Sequence, residues 1–377
     1  MKTTRVMAGL LAGAMVFGLG TVYAPSIGTS ITAQAEAEGE YCEKCGNYYA
    51  CYLQTTDTKE WRFIGLRLSA DSNSGELVKS DIETVTDVEI KSSINGEPVT
   101  AIGRNAFFNF TALTSVSIPS SVTTIEEFAF AYCSSLKSID LQNSVTKIGN
   151  QAFSNCAALT TVKNASAVTT IGERAFNGCD SLPSVSLGDS VMTVGLGAFM
   201  NCRSLASIKV SANNLVFTSV DGVLFTADKK RLAQFPAGKD AASYTVPDSV
   251  TTINAYAFYG CNRLKSLIIP ATVKTINTDA IGINSAGQIM TDLVIYGEYN
   301  TPAEDYALSK KITFKEIPAE EPTEEPTEPE KPTQSGVVGD INGDGTVNAS
   351  DAACILIYAA AVGAGYEGTL PEYFAAK

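Results

Sequence analysis

Close to the C-terminal end runs the segment DINGDGTVNASD, from Asp340 to Asp351. Asp340, Asn342 and Asp344 place side-chain oxygens on alternate residues, and Gly345 falls where such a loop must turn sharply. Thr346 then offers its main-chain carbonyl, Asn348 a further oxygen directly or through water, and Asp351 a closing carboxylate. Six oxygen donors in twelve residues suit a hard divalent cation of flexible geometry, which is Ca2+. Asn348 or Ser350 can cap a helix starting near Asp351, with Cys354 in its core.

A second constellation is Cys42, Cys45 and Cys51, spaced Cys-x2-Cys-x5-Cys. Zinc wants a fourth ligand, and the chain contains no histidine to supply one. A disulfide among the three is the expectation in an exported protein. The absence of histidine also removes Ser-His-Asp and Cys-His nucleophiles and imidazole bases. Catalysis would have to work through carboxylates, Lys or Tyr. The one place for it is the short segment 42–98, with Trp61, Asp57, Glu60 and Asp71, and that segment reads as an N-terminal cap. The chain is therefore expected not to be an enzyme.

Export is read from residues 1–35: Lys2 and Arg5, an apolar stretch from Val6 to Leu19, then Ala33-Gln34-Ala35 as a cleavage site, with Val22-Tyr23-Ala24 as the second choice. The apolar stretch is too short to span a bilayer. A net charge of −13 argues against nucleic acid, which needs clustered cations.

What must position these groups is a repeat. Units of 23 residues begin at Val99, Val122, Val145, Val168 and Val191, as in VTTIEEFAFAYCSSLKSIDLQNS, and a sixth begins at Val250. A degenerate seventh starts at Val273. Each opens with an alternating Val-Thr-x-Ile strand. Gly103, Gly149, Gly172 and Gly195 follow, expected to turn the chain at positive φ. An Ala-Phe pair in a short helical turn then inserts an aromatic, and a second strand carries apolar pairs such as Ile139 and Leu141. One unit cannot bury its own apolar face, so the units stack into a solenoid. Cys133, Cys156, Cys179, Cys202 and Cys261 recur at one place that Phe110 fills in the first unit, which favours buried free thiols, with a bridge between neighbouring coils as the alternative.

The pattern A-F-x-x-C-x-x-L-x-x-[VI]-x-[LIV] resembles the BspA-like leucine-rich repeats, over roughly 84–317. The resemblance implies that 213–249 is a hairpin insertion and that 273–317 closes the solenoid. The segment 318–336, PAEEPTEEPTEPEKPTQSG, is a Pro/Glu-rich spacer. The loop and the helix after it resemble a dockerin, the module that plugs extracellular proteins into a cohesin on a cellulosome scaffoldin. The resemblance implies Ala349 and Ser350 as cohesin contacts. A full dockerin has two such loops and 337–377 contains one, so the segment is either cut short or a half module.

The expected fold is an α/β repeat solenoid with short strands and helical turns, capped by residues 36–98 and 273–317, plus a small α-helical calcium-loop module. Facing outward on successive second strands are Ser138 and Asp140, Thr161 and Lys163, Ser184 and Ser186, Ser207 and Lys209. This is a small polar ladder without the aromatics a sugar platform needs, so the expected ligand is an unidentified protein. The expected role is that of an exported, cellulosome-associated or cell-surface interaction protein. The alternative implied by the repeats is an adhesin-like surface protein.

Overall fold

A computed structural model describes residues 40–45, 48–55, 57–67 and 83–317, together with 353, 356, 357 and 359. The chain divides into a unit ending at Ile317 and a second beginning at Pro318. In the second unit Ala353, Leu356, Ile357 and Ala359 are helical. The expected signal peptide, the Pro/Glu-rich spacer, the whole loop from Asp340 to Asp351 with Ala349 and Ser350, and Cys354 lie outside the described residues. Among the described residues no helix is long and apolar enough to cross a membrane.

The first unit opens with an antiparallel meander, β1 (Glu40–Cys45), β2 (Tyr48–Gln54) and β3 (Trp61–Arg67). A disulfide joins Cys42 to Cys51, which face each other across β1 and β2. Trp61 is buried and Glu60 accepts a hydrogen bond from the Thr100 hydroxyl at 3.1 Å, so this segment packs as a cap. Next come β4 (Asp87–Glu89), β5 (Ser93–Ile94) and β6 (Glu97–Ile102).

Each repeat contributes two strands. The second strands are β7 (Ser115–Ser117), β9 (Ser138–Asp140), β11 (Thr161–Lys163), β13 (Ser184–Leu187) and β15 (Ser207–Val210). The opening strands are β8 (Thr124–Ile125), β10 (Lys147–Ile148), β12 (Thr170–Ile171) and β14 (Thr193–Val194), which pair in parallel and extend the cap sheet without a break. Between the two strands lie successive hydrogen-bonded turns, such as Ala129 N–H to Glu126 O and Ala131 N–H to Phe128 O, rather than the expected helical turns.

The core is layered unit by unit. The rings of Phe107, Phe130, Phe153, Phe176 and Phe199 stack nearly parallel at 4.9 to 5.6 Å, close to the spacing of neighbouring strands. Burying each ring contributes roughly 1.5–3 kcal/mol. Each repeated cysteine is fully buried and donates its S–H to a carbonyl of the unit before, as Cys179 does to Phe153 O at 3.2 Å.

The glycine expectation is corrected. Gly103, Gly149, Gly172 and Gly195 do not have positive φ; the left-handed positions come later, at Asn105, Phe128, Gln151, Arg174 and Gly197 and again at Asn109, Tyr132, Asn155, Gly178 and Asn201. These glycines instead allow close stacking. A Cβ on Gly172 would lie 2.6 Å from Asn150 N, and one on Gly195 2.4 Å from Glu173 N. Glu126 holds the place in the second unit and uses its side chain to bind Arg62 Nε at 2.8 Å.

The insertion is more than a hairpin. β16 (Phe217–Val220), β17 (Val223–Thr226) and β18 (Arg231–Gln234) form an antiparallel meander, and β18 then pairs in parallel with β20 (Thr252–Ile253). Phe217, Phe225 and Phe235 are all buried. Phe235 stacks on Phe258 at 5.1 Å and accepts the Cys261 S–H, so 235–249 completes a degenerate repeat. That repeat supplies β19 (Ser243–Thr245), which pairs in parallel with β21 (Ser266–Ile268). β22 (Thr275–Ile276), β23 (Val294–Gly297), α1 (Pro302–Lys310) and β24 (Thr313–Glu316) close the solenoid. Tyr306 is sealed beneath α1, donating to Ile281 O and accepting from Ile281 N–H.

Candidate interaction face

The second strands carry the expected polar ladder. Parallel pairing sets Ser138 beside Thr161 and Asp140 beside Lys163 on β9 and β11, and Ser184 beside Ser207 and Ser186 beside Lys209 on β13 and β15. Thr161, Lys163, Ser184, Ser186 and Lys209 are exposed, whereas Ser138, Asp140 and Ser207 are half-buried. Strand alternation explains the arrangement: Ile139 and Ile208 between them point into the core. Ser207 is less available than expected because the insertion lies over it. Ile208 N–H donates to Gly222 O at 2.9 Å, and a Cβ on Gly222 would come 2.7 Å from the Ser207 hydroxyl.

The ladder is not continuous. β9 pairs with β11 and β13 with β15, but neither β7 with β9 nor β11 with β13, although β10 and β12 of the latter two units do. Between β7 and β9 one main-chain bond still bridges the units, and two residues set the gap between β11 and β13 apart. Lys137 and Thr160 each donate their N–H to the second-strand edge of the preceding unit, at Thr114 O and Lys137 O. Pro183 holds the next place and has no N–H to donate. The apolar residue after the second strand is Ile118, Leu141 and Leu187 in neighbouring units, all buried, but Asn164 in the third. Its side chain turns outward and donates to both Asp140 oxygens, at 2.9 and 3.0 Å. A missing core side chain and a missing donor leave a cleft of 840 Å³, floored by Val162, Ile171 and Leu187.

Lys163 and Lys209 stand at equivalent heights two units apart, and neither forms a salt bridge among the described residues. Asp189 beside the cleft is held below the usual carboxylate range by hydrogen bonds from Ser211 and Asn213. Among the described residues, Glu40, Cys42 and Cys51 are the one group of acidic or thiol side chains close enough to share a metal ion, and the Cys42–Cys51 disulfide occupies both sulfurs. The repeat thiols are pushed up in pKa by burial, Cys202 to about 12, so they are neither nucleophiles nor ligands in the folded chain.

The parallel, layered coils define a leucine-rich-repeat solenoid. Six copies of the BspA type leucine rich repeat match residues 100–223 and 235–300, half of the chain, and the protein belongs to that family. A leucine-rich repeat protein from Eubacterium ventriosum is similar at 22% identity, covering 70% of this chain and 73% of that one with a TM-score of 0.49. A leucine rich cell surface protein from Faecalibacterium prausnitzii is 22% identical over 66% of this chain and 75% of its own, with a TM-score of 0.46. A leucine-rich repeat protein from Bacteroides ovatus is 24% identical, over 74% and 77%, with a TM-score of 0.45. No curated protein matches the chain.

Proposed function

We propose that this chain is a non-catalytic, exported interaction protein, with the solenoid holding a protein ligand on the face of β9 to β15. The observation that carries this reading is the set of short polar side chains and lysines without salt bridges among the described residues, Thr161, Lys163, Ser184, Ser186 and Lys209, mounted on a continuous apolar core. Such a rigid, broad and chemically quiet surface suits contact rather than turnover. The C-terminal segment is the attachment device. Its oxygen-only donors Asp340, Asn342, Asp344, Thr346, Asn348 and Asp351 suit Ca2+, and Ala349 and Ser350 meet a cohesin module of a scaffoldin.

Titrating calcium into the full chain, with Asp340→Ala/Asp344→Ala as the comparison, tests the attachment. The wild type takes up calcium and is retained by an array of cohesin modules, and both properties are lost in the variant and in EGTA. A chain that binds neither calcium nor any cohesin overturns the docking half. Calcium-independent capture of a host or neighbouring-cell protein by the repeats would replace it with the adhesin-like reading.

A further inference from the structure

We infer that the cleft between β11 and β13 receives an extended peptide segment of the protein ligand, one that presents an apolar side chain flanked by carboxylates. This rests on the protein-binding reading of the face and narrows it to one place. Three independent features converge there. The first is main-chain valence. Among the described residues Thr160 O lacks the donor that Pro183 cannot supply and Asn164 N–H meets no acceptor, whereas Leu141 N–H one unit earlier donates to Lys163 O at 3.0 Å. Two facing strand edges are thereby left open, as an added strand requires.

The second is shape. The apolar floor exists because Asn164 leaves the layer that Leu141 and Leu187 fill on either side. The volume of 840 Å³ lies within the range of sites that enclose a ligand. Phe176 beneath is stacked between Phe153 and Phe199 and buried, so it offers no ring face to a sugar.

The third is charge. Lys209 lines the cleft and Lys163 stands beside it, neither in a salt bridge among the described residues, while the carboxylate in the lining, Asp189, is already engaged by Ser211 and Asn213. Acidic side chains beside the inserted apolar group would meet these lysines, and cationic ones would be repelled. The cleft therefore selects sequence as well as conformation.

The test uses fluorescein-labelled twelve-residue peptides, each with a central Leu or Phe flanked by Glu, against matched peptides flanked by Lys. Anisotropy is measured with the full-length chain. The Glu-flanked series binds at least tenfold more tightly than the Lys-flanked series, and hydrogen exchange slows at Val162–Asn164 and Ser184–Leu187. Asn164→Leu/Pro183→Thr restores both the core side chain and the donor. It raises the melting temperature and weakens peptide binding at least tenfold, which separates a filled cleft from a misfolded chain. Lys163→Glu/Lys209→Glu reverses the charge preference. Equal binding by the filled variant overturns the cleft but leaves the broader face standing as the protein-binding surface. Absence of peptide binding, or self-association of the chain through this edge in sedimentation, also overturns it.

Discussion

The thiol of Cys156 points back across one unit and donates its hydrogen to Phe130 O at 3.1 Å. The same bond recurs at Cys133 to Phe107 O, Cys179 to Phe153 O and Cys202 to Phe176 O. A cysteine here is thus both a filler and a clip between successive units, which neither Ala nor Phe reproduces. Cys156→Ala removes the sulfur and the clip to Phe130 O, which keeps the N–H of Cys133 from within its own unit, and should lower stability by roughly 1–3 kcal/mol. Chemical denaturation of the variant and the wild type measures the difference.

The same burial fixes a pH dependence. Burial raises the Cys202 pKa from 9.0 to about 12, and Cys133, Cys156, Cys179 and Cys261 shift in the same direction for the same first reason. Above the unfolded value the unfolded chain releases protons that the folded chain keeps. Stability is therefore full below pH 9 and falls as pH rises toward 12. The five repeat thiols should react with a disulfide reagent at the rate of unfolding, not at the rate of thiolate formation. Fast modification of these thiols in the native protein at pH 8 would refute this.

Gly172 and Gly195 should not tolerate a methyl group. With a Cβ placed 2.6 Å and 2.4 Å from main-chain atoms of the unit before, Gly172→Ala and Gly195→Ala force that backbone to move. The cost is roughly 1–3 kcal/mol each. Gly188→Ala is the control, since a Cβ there meets nothing closer than 3.7 Å at an ordinary φ. Thermal melts of the three variants should separate the first two from the third.

These glycines show what the sequence carried and what it did not. Their recurrence every 23 residues was plain, and so were the stacked phenylalanines and the buried thiols, because all three repeat in one register. The reason for the glycines was not plain, since turn-making and close approach favour the same residue. The degenerate repeat around Phe235 was hidden because it lacks the Cys and Leu that mark the others; its stacking on Phe258, the bond from Cys261 and the pairing of β19 with β21 reveal it. The open edge between β11 and β13 was written in Asn164 and Pro183. A reading built on what the units share passes over a departure, and here the departures shape the candidate site. Likewise, the shielding of Ser207 depends on Gly222 in the insertion, a contact no periodicity announces.

The disulfide should matter to the cap alone. Cys42 and Cys51 close a loop across β1 and β2, a sequence separation of 9. On chain-entropy grounds so short a loop stabilises by roughly 2–3 kcal/mol. Cys42→Ser/Cys51→Ser should therefore speed hydrogen exchange in β1 and β2 while leaving exchange in β10 and β12 unchanged, because a solenoid transmits stability chiefly between neighbouring units. Equal loss of protection in both regions would contradict this.

Phe153 lies at the middle of the ring stack, 5.1 Å from Phe130 and 5.2 Å from Phe176, with no exposed surface. Phe153→Ala removes two ring contacts and leaves a cavity between two layers, at a cost of roughly 3–5 kcal/mol. Phe235→Ala also removes two ring contacts, but one alone is a stack between layers, on Phe258, and the other is edge-on to Tyr244. Its loss should be the smaller of the two. It should also be confined to the second core cluster, from Val223 to Ile312, in hydrogen exchange. The decisive measurement is the order of the two midpoints in guanidinium chloride, with Phe153→Ala unfolding first.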